Sequence, residues 1–424
     1  MAHTDHSGRP VVAVTGMGMV TSLGQGITDN WTRLTAGRSG IRRITRFPTD
    51  GLKTTIAGTI DAIAHEPPTS AALGLRIAEL AAEEAVAAAG FRQDDVPGPL
   101  FLGFPPVEFE WPQRQAIGAA SGANDHVGYT DLFRGAATGR FAPMHAQTLF
   151  AYAPEMLADR FGTRGSPIVT STACATGATA IQLGVEAIRR GETSVALCIG
   201  ADASVTQEAL IRFSLLSALS QSNDPPEQAA KPFSANRDGF VMAEGAGALV
   251  LEELDHALAR GATIFGIVEG CGERADGFHR TRSSPDGAPI ITCIRAALAD
   301  AGVAPEAIGY INAHGTGTPE NDRMEHQCVS AVFGDRAQHL PISSNKSMIG
   351  HTLSAAGAVE AIFSLLTMRN GRIPPTINHF VPDPAIPLDV VPNVARDADV
   401  ARTLSNSFGF GGQDVSLVLA REPA

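Results

Sequence analysis

Several things are scarce in this 424-residue chain. Aromatic residues make up 6% of it, with 2 Trp and 3 Tyr, so a segment that carries several of them stands out. Cysteine is present only as Cys174, Cys198, Cys271, Cys293 and Cys328, an odd number at irregular spacing with no CxxC. That excludes a disulfide framework and a structural zinc site, and makes buried inert thiols the default. No apolar run is long enough to span a bilayer. The first ten residues, MAHTDHSGRP, are polar and lack the apolar core of a secretory signal. We therefore expect 1–10 to be a flexible start and the protein to be cytoplasmic. Basic residues are also short: 32 Lys and Arg face 44 Asp and Glu, for a formal net charge of −12. This argues against nucleic acid and anionic membrane as main partners. An acidic partner would need a local basic patch.

What the chain has in plenty is Gly and Ala, arranged in a hidden duplication. AAEEAVAAAGFRQDDVPGPLFLG and CIRAALADAGVAPEAIGYINAHG share one plan: an Ala-rich helix, a Gly stop, a loop and a short strand. Gly90 to Gly103 and Gly302 to Gly315 both span 13 residues. GATAIQLGVEAIRRG (177–191) and GAVEAIFSLLTMRNG (357–371) both open with Gly-Ala and stop at Gly 14 residues later. Two halves follow, 11–255 and 256–424. The first is longer between matched elements by 32 residues, which we place near 105–150. That insertion bears aromatics and suits a cap over the site, a subunit contact, or a surface excursion with its own small core.

Strands alternating with helices predict an α/β protein with mostly parallel sheets. On 177–191, Ile181, Val185 and Ile188 form one stripe and Ala180, Gly184 and Ala187 a flat one. Such a helix suits burial between two sheets. We expect five layers, α-β-α-β-α, with the two duplicated helices back to back in the middle.

Cys174 falls between a strand reading over Ile168–Ser171 and a helix reading from Thr176, among small residues. Backbone N–H groups and positive partial charge at a helix N-terminus favour thiolate, and a lowered thiol pKa is the expectation. Taken alone, a cysteine in apolar surroundings is more often inert. In the second half His351 precedes the duplicated helix and His314 ends a strand, each beside Gly. Three such residues at symmetry-related corners point to one site.

VVAVTGMGMVTSLG, STACATGA, KPFSANRDGFVMAEGAGALVLEE, AHGTGTPENDRMEH, NKSMIGHTLSAAGAVE and NSFGFGG occur in this order. Together they resemble the β-ketoacyl-acyl-carrier-protein synthases, the elongating condensing enzymes of the thiolase fold, from about Val11 to Ala420. The resemblance implies that Cys174 accepts the acyl group and that His314 and His351 direct decarboxylation. It implies that Lys346 supports the histidines, with Glu325 the buried acid near it. Phe408 would gate the site and complete an oxyanion hole with the Cys174 N–H, and Thr316 and Thr318 would contact the pantetheine arm. The implied activity is decarboxylative Claisen condensation of malonyl-carrier with an acyl group on Cys174. No metal or redox cofactor is required, because substrates arrive on the phosphopantetheine of acyl carrier protein; a homodimer is also implied. We place the carrier-binding patch at Arg280 and Arg282.

Two departures accompany the match: Gln413-Asp414 follows NSFGFGG where Thr-Asn is usual, and Asn345 precedes Lys346. GFPPVEFEWPQR is unusual in a region that helps line the acyl pocket of this family. A polyketide-type ketosynthase or a very-long-chain synthase of the same fold is the alternative. A thiolase would carry a second cysteine in the C-terminal Gly-rich segment, the initiating synthases pair Cys with His and Asn, and a chain-length-factor subunit would lack the nucleophilic cysteine.

Overall fold

The computed structural model describes residues 3–122 and 127–423. Ten strands of its main sheet fall into two sets of five. The first half holds β1 (Val12–Thr21), β2 (Leu100–Gly103), β3 (Ile168–Thr170), β4 (Val195–Asp202) and β5 (Gly245–Glu253). The second holds β6 (Gly266–Ala275), β7 (Tyr310–Asn312), β8 (Ile342–Ser343), β9 (Arg402–Phe408) and β10 (Gln413–Ala420). The order is β3-β2-β4-β5-β1 in one set and β8-β7-β9-β10-β6 in the other. The duplication read from glycine spacing is thus repeated in strand order. β1 and β6 pair over Val12–Val14, which joins the two sets edge to edge.

The sheets are not mostly parallel. In each half the first two pairings are parallel and the last two antiparallel. In the second half the connection explains it. β9 and β10 are linked by Gly409–Gly412 alone, too short for the crossover that parallel strands need.

The principal helices are α1 (Ser70–Ala88), α2 (Trp111–Ala119), α3 (Tyr129–Ala137), α4 (Tyr152–Phe161), α5 (Thr176–Arg189), α6 (Gln207–Leu215), α7 (Ala288–Ala301), α8 (Pro319–Phe333) and α9 (Ala356–Asn370). α1 covers the outer face of the first sheet, and α7 with α8 covers the outer face of the second. Between the sheets α5 and α9 share one core. They cross where a Cβ on Gly177 would lie 2.7 Å from Ala358 N, and one on Gly357 2.5 Å from Ala178 N. Only glycine permits that approach, so the paired Gly-Ala starts are the crossing point of the fold.

Between β2 and β3 the first half carries α2, α3 and α4, where the second half has α8 between β7 and β8. Of the insertion near 105–150, residues 123–126 lie outside the described residues. A second long excursion, Ala203–Glu244, joins β4 to β5 and carries α6; glycine spacing gave no sign of it. Near the start of the chain, residues 3–10 lie against the folded body, and 1 and 2 lie outside the described residues. Thr4 bridges Pro10, the His3 N–H donates to Asp255 (2.9 Å), and Arg9 pairs with Asp300 (2.8 Å). Its polar side chains find acidic partners on the folded body. Among the described residues no helix is long and apolar enough to cross a membrane.

Candidate active site

Cys174 sits in a short 3-10 turn, Ala173–Ala175, between β3 and α5. Ala173 has φ 48°, a left-handed conformation that non-glycine residues adopt rarely. The corner is held by Thr176, whose hydroxyl donates to the Ala173 carbonyl (2.6 Å) and accepts the Thr172 N–H (2.8 Å). The second half repeats the bend: Leu353 has φ 47° and is followed by Ser354 in a 3-10 turn, Leu353–Ala355, that leads into α9. Ser354, rather than a histidine, is therefore the direct counterpart of Cys174. Its N–H donates to buried Asp202 at the end of β4 (3.1 Å), tying the two corners together.

His351 precedes the second corner and places Nε2 3.1 Å from Cys174 Sγ. The Leu353 N–H points at its Nδ1 (3.3 Å), so the imidazole proton resides on Nε2 and faces the sulfur. His314 follows β7, and its ring stands edge-on to that of His351 with centroids 5.4 Å apart. One atom of each of Cys174, His314 and His351 lies within 4.8 Å of the others. With its proton on Nε2, His351 offers the sulfur side a donor rather than a metal-binding lone pair. Phe240 packs edge-on against the other side of His351, 5.4 Å between centroids.

Both histidines are buried, which pushes them well below the ordinary imidazole value; the Lys346 charge adds to this. They are neutral at pH 7. Burial also pushes the Cys174 thiol up, to about 11, against the pull of the Phe410 N–H and Lys346. The expected depression is therefore outweighed: a helix start lowers a thiol pKa, but a dry pocket raises it.

Two expected partnerships are rearranged. Lys346 pairs with Glu360 on α9, both buried, and not with Glu325. Glu325 instead accepts the N–H groups of His314 (2.8 Å) and Gly315 (2.7 Å), fixing the turn that carries the histidine. Burial pushes both carboxyls up to about 7. Glu360 was legible as the one charge in GAVEAIFSLLT, a buried helix that must supply it a cation. The backbone N–H that draws on the Cys174 thiol is that of Phe410, two residues beyond Phe408. Phe408 ends β9 and its ring stands 5.8 Å from His314, while Phe410 rises into the loop beyond. A repeated Phe-Gly-Phe-Gly leaves that choice open until the strand end is known.

These groups open into a cavity of about 290 Å³. Thr316 and Thr318 line it, their hydroxyls 3.0 Å apart, and Thr318 also caps α8. Phe213, Leu216, Phe240 and Phe410 supply apolar wall, and exposed Arg282 stands at the rim; Arg280 is exposed beside it. Among the described residues, none of 105–150 lines this cavity. That segment packs behind α6, where Glu208 accepts the Trp111 N–H and Arg212 pairs with Glu108 (2.8 Å). Trp111, Tyr129, Phe133 and Leu149 remain exposed on its outside.

A cysteine at a strained strand–helix corner, two neutral imidazoles and a thiolase-like duplicated fold define an acyl-transfer centre. Residues 9–257 match the β-ketoacyl synthase N-terminal domain and 265–380 its C-terminal domain; the chain belongs to the β-ketoacyl synthase family. It is 40% identical to 3-oxoacyl-[acyl-carrier-protein] synthase 2 of Rhizobium meliloti (strain 1021), over 97% of this chain and 98% of that protein. The enzyme of the same name from Coxiella burnetii is 36% identical over the same shares. Among solved structures, the ishigamide ketosynthase/chain length factor superposes with TM-score 0.83 at 36% identity, covering 98% of this chain and all of that one. A type II polyketide acyl-carrier protein in complex with its ketosynthase gives 0.84 at 30%, with the same coverage.

Proposed function

We propose that the chain is a 3-oxoacyl-[acyl-carrier-protein] synthase that elongates carrier-bound acyl groups by two carbons. The observation that carries this is the 3.1 Å approach of His351 Nε2 to Cys174 Sγ, with His314 alongside in one cavity. Cys174 attacks the acyl thioester; the carrier thiol leaves with the proton, and the acyl group rests on the sulfur. Malonyl-carrier then enters past Thr316 and Thr318. Its carboxylate departs as CO₂ and leaves the electron pair on the α-carbon, with the enolate oxygen held by the neutral imidazole N–H groups. That carbon attacks the acyl carbonyl, whose oxyanion meets the N–H groups of Phe410 and Cys174. The C–S bond then breaks, its electron pair returns to the Cys174 sulfur, which takes a proton from solvent, and the product leaves on the carrier. Each donor of this kind contributes roughly 3–4 kcal/mol to the transition state. Lys346 with Glu360 positions the histidine site, and Glu325 orients His314.

The partner is an acidic acyl carrier protein, docked at the rim by Arg280 and Arg282. Charge reversal at both should raise KM for carrier substrates with little change in kcat. A second copy of the chain would cover the exposed Trp111, Tyr129 and Phe133, giving a homodimer. Carbon-14 malonyl-carrier and acyl-carrier with purified protein test the central step. Condensation should fall roughly ten-thousand-fold in Cys174→Ala, while CO₂ release, which needs the imidazoles and not the sulfur, persists. An unchanged condensation rate refutes the assignment. The 30% identity to the type II polyketide acyl-carrier protein and ketosynthase complex favours a polyketide-type role as the second reading, and the rate against acyl chain length separates the two.

A further inference from the structure

The loop Gly409–Gly412 and the segment Asp276–Ser284 lie against each other beside the active-site cavity. The Gly411 N–H donates to the Arg280 carbonyl (2.8 Å) and the Asp276 N–H to the Gly412 carbonyl (2.7 Å). A Cβ on Gly412 would fall 1.9 Å from the Asp276 carbonyl oxygen, so the two backbones are in contact. The Asp276 carboxylate anchors its own segment, accepting the N–H groups of Phe278 (2.9 Å) and Ser284 (2.6 Å) and the Ser284 hydroxyl (2.8 Å).

Two residues past the loop stands Asp414, one of the departures from the family pattern. It is 3% exposed, yet its Oδ2 has no hydrogen-bond partner. Directly across on β6 is Arg274, whose guanidinium donates to the Glu273 carbonyl (2.6 Å). Across on β9 is Phe408, which brings no charge. From α7, Cys293 Sγ lies 3.4 Å from the Asp414 carbonyl oxygen. From α8, Cys328 feels Asp414 and Glu325 together, with Asp286 of the neighbouring loop. Asp276 is the acid that bears on Asp414 most directly. A carboxylate so placed is unfavourable unless it keeps its proton.

We propose that Asp414 is a proton-operated latch on the Gly409–Gly412 loop. With its proton, the loop stays docked on Asp276–Ser284 and the Phe410 N–H stays on Cys174. Without it, two carboxylates oppose each other and the loop is released, widening the way to the sulfur. The inference rests on the reading of this loop as the gate over Cys174.

Burial, reinforced by Asp276, pushes Asp414 in the docked state from 3.8 up to about 7. Docking is therefore strongest below about pH 4, weakens as pH rises toward 7, and is weakest above that. Hydrogen–deuterium exchange of the full chain between pH 5 and 8, expressed as protection factors for 278–284 and 410–412, reads the latch directly. Wild type should lose protection by on the order of tenfold per pH unit up to about pH 7. Asp414→Asn keeps the size and removes the titration, and its protection should be flat. Asp276→Asn should shrink the drop, and it carries the test alone if Asp414→Asn does not fold. A wild-type profile without pH dependence overturns the latch, as does an unchanged drop in Asp414→Asn. Because the readout is loop motion, absence of condensation activity would sink the functional assignment and leave this profile to be judged separately.

Discussion

Ala173 precedes Cys174 with φ 48°, and Leu353 precedes Ser354 with φ 47°. The two corners share a backbone, a following Gly-Ala and a buried helix, yet only one carries a sulfur. The histidines are equally one-sided: His351 lies three residues before Ser354, where the first half has Ser171 before Cys174. Glu360 of α9 has Ala180 of α5 as its counterpart. Duplication built a symmetric scaffold, and the chemistry was divided across it: the nucleophile came from one copy and the donors, with their Lys346–Glu360 support, from the other. Two helix starts that meet at Gly177 and Gly357 bring the divided parts within reach.

The comparison breaks first at the corner itself. If position and not backbone shape selects the nucleophile, Ser354→Cys in a Cys174→Ala background restores no condensation. The expected rate stays roughly ten-thousand-fold below wild type, since the second corner's N-terminus is occupied by Asp202. Radiolabelled condensation assays decide it. The one-sided ion pair comes next. Glu360→Gln leaves Lys346 buried and unpaired and should cost about 3–5 kcal/mol, read by thermal unfolding. Lys346→Met with Glu360→Leu should recover most of that stability while activity stays low.

Glu325 sharpens the same contrast through pH. Burial raises it from 4.5 to about 7 in the folded protein, so the folded state holds the proton longer than the unfolded chain does. Wild type therefore loses stability as pH rises from about 4.5 to 7. Glu325→Gln, which does not titrate, should gain on it by up to about 3 kcal/mol over that interval in urea unfolding. The smallest effect tests the shared part: Gly177→Ala and Gly357→Ala should each cost about 1–3 kcal/mol, because both press a methyl into the facing backbone. Comparable costs at the two sites would affirm the symmetry of the crossing, and a large inequality would break it.

Much of this was legible before any coordinates. Glycine spacing exposed the two halves, and small-residue helix starts marked their crossing. Cys174, His314 and His351 were identifiable because each stands beside the end of an element, among residues too small to serve as core. Less legible were the direct partners of Lys346 and Glu325, which are Glu360 and the N–H groups of His314 and Gly315. Lys346 and Glu325 are both charges in buried elements, and a sequence states that each needs a partner without saying which. Phe408 and Phe410 were confused because their roles depend on where β9 ends. The antiparallel half of each sheet was missed because a helix between two strands does not by itself fix their relative direction: β4 and β5 are antiparallel although α6 lies between them.

By itself the sequence determined a duplicated α/β fold and the inventory of reactive groups, since periodicity, turn chemistry and residue type are local properties. Pairing and proton affinity were decided by the tertiary structure alone. Lys346 with Glu360, the Phe410 N–H on the sulfur, a thiol raised to about 11 and the isolated Asp414 each depend on neighbours distant in the chain. Packing decides which of them remain in contact with water, and the loss of water sets the energy of every charge.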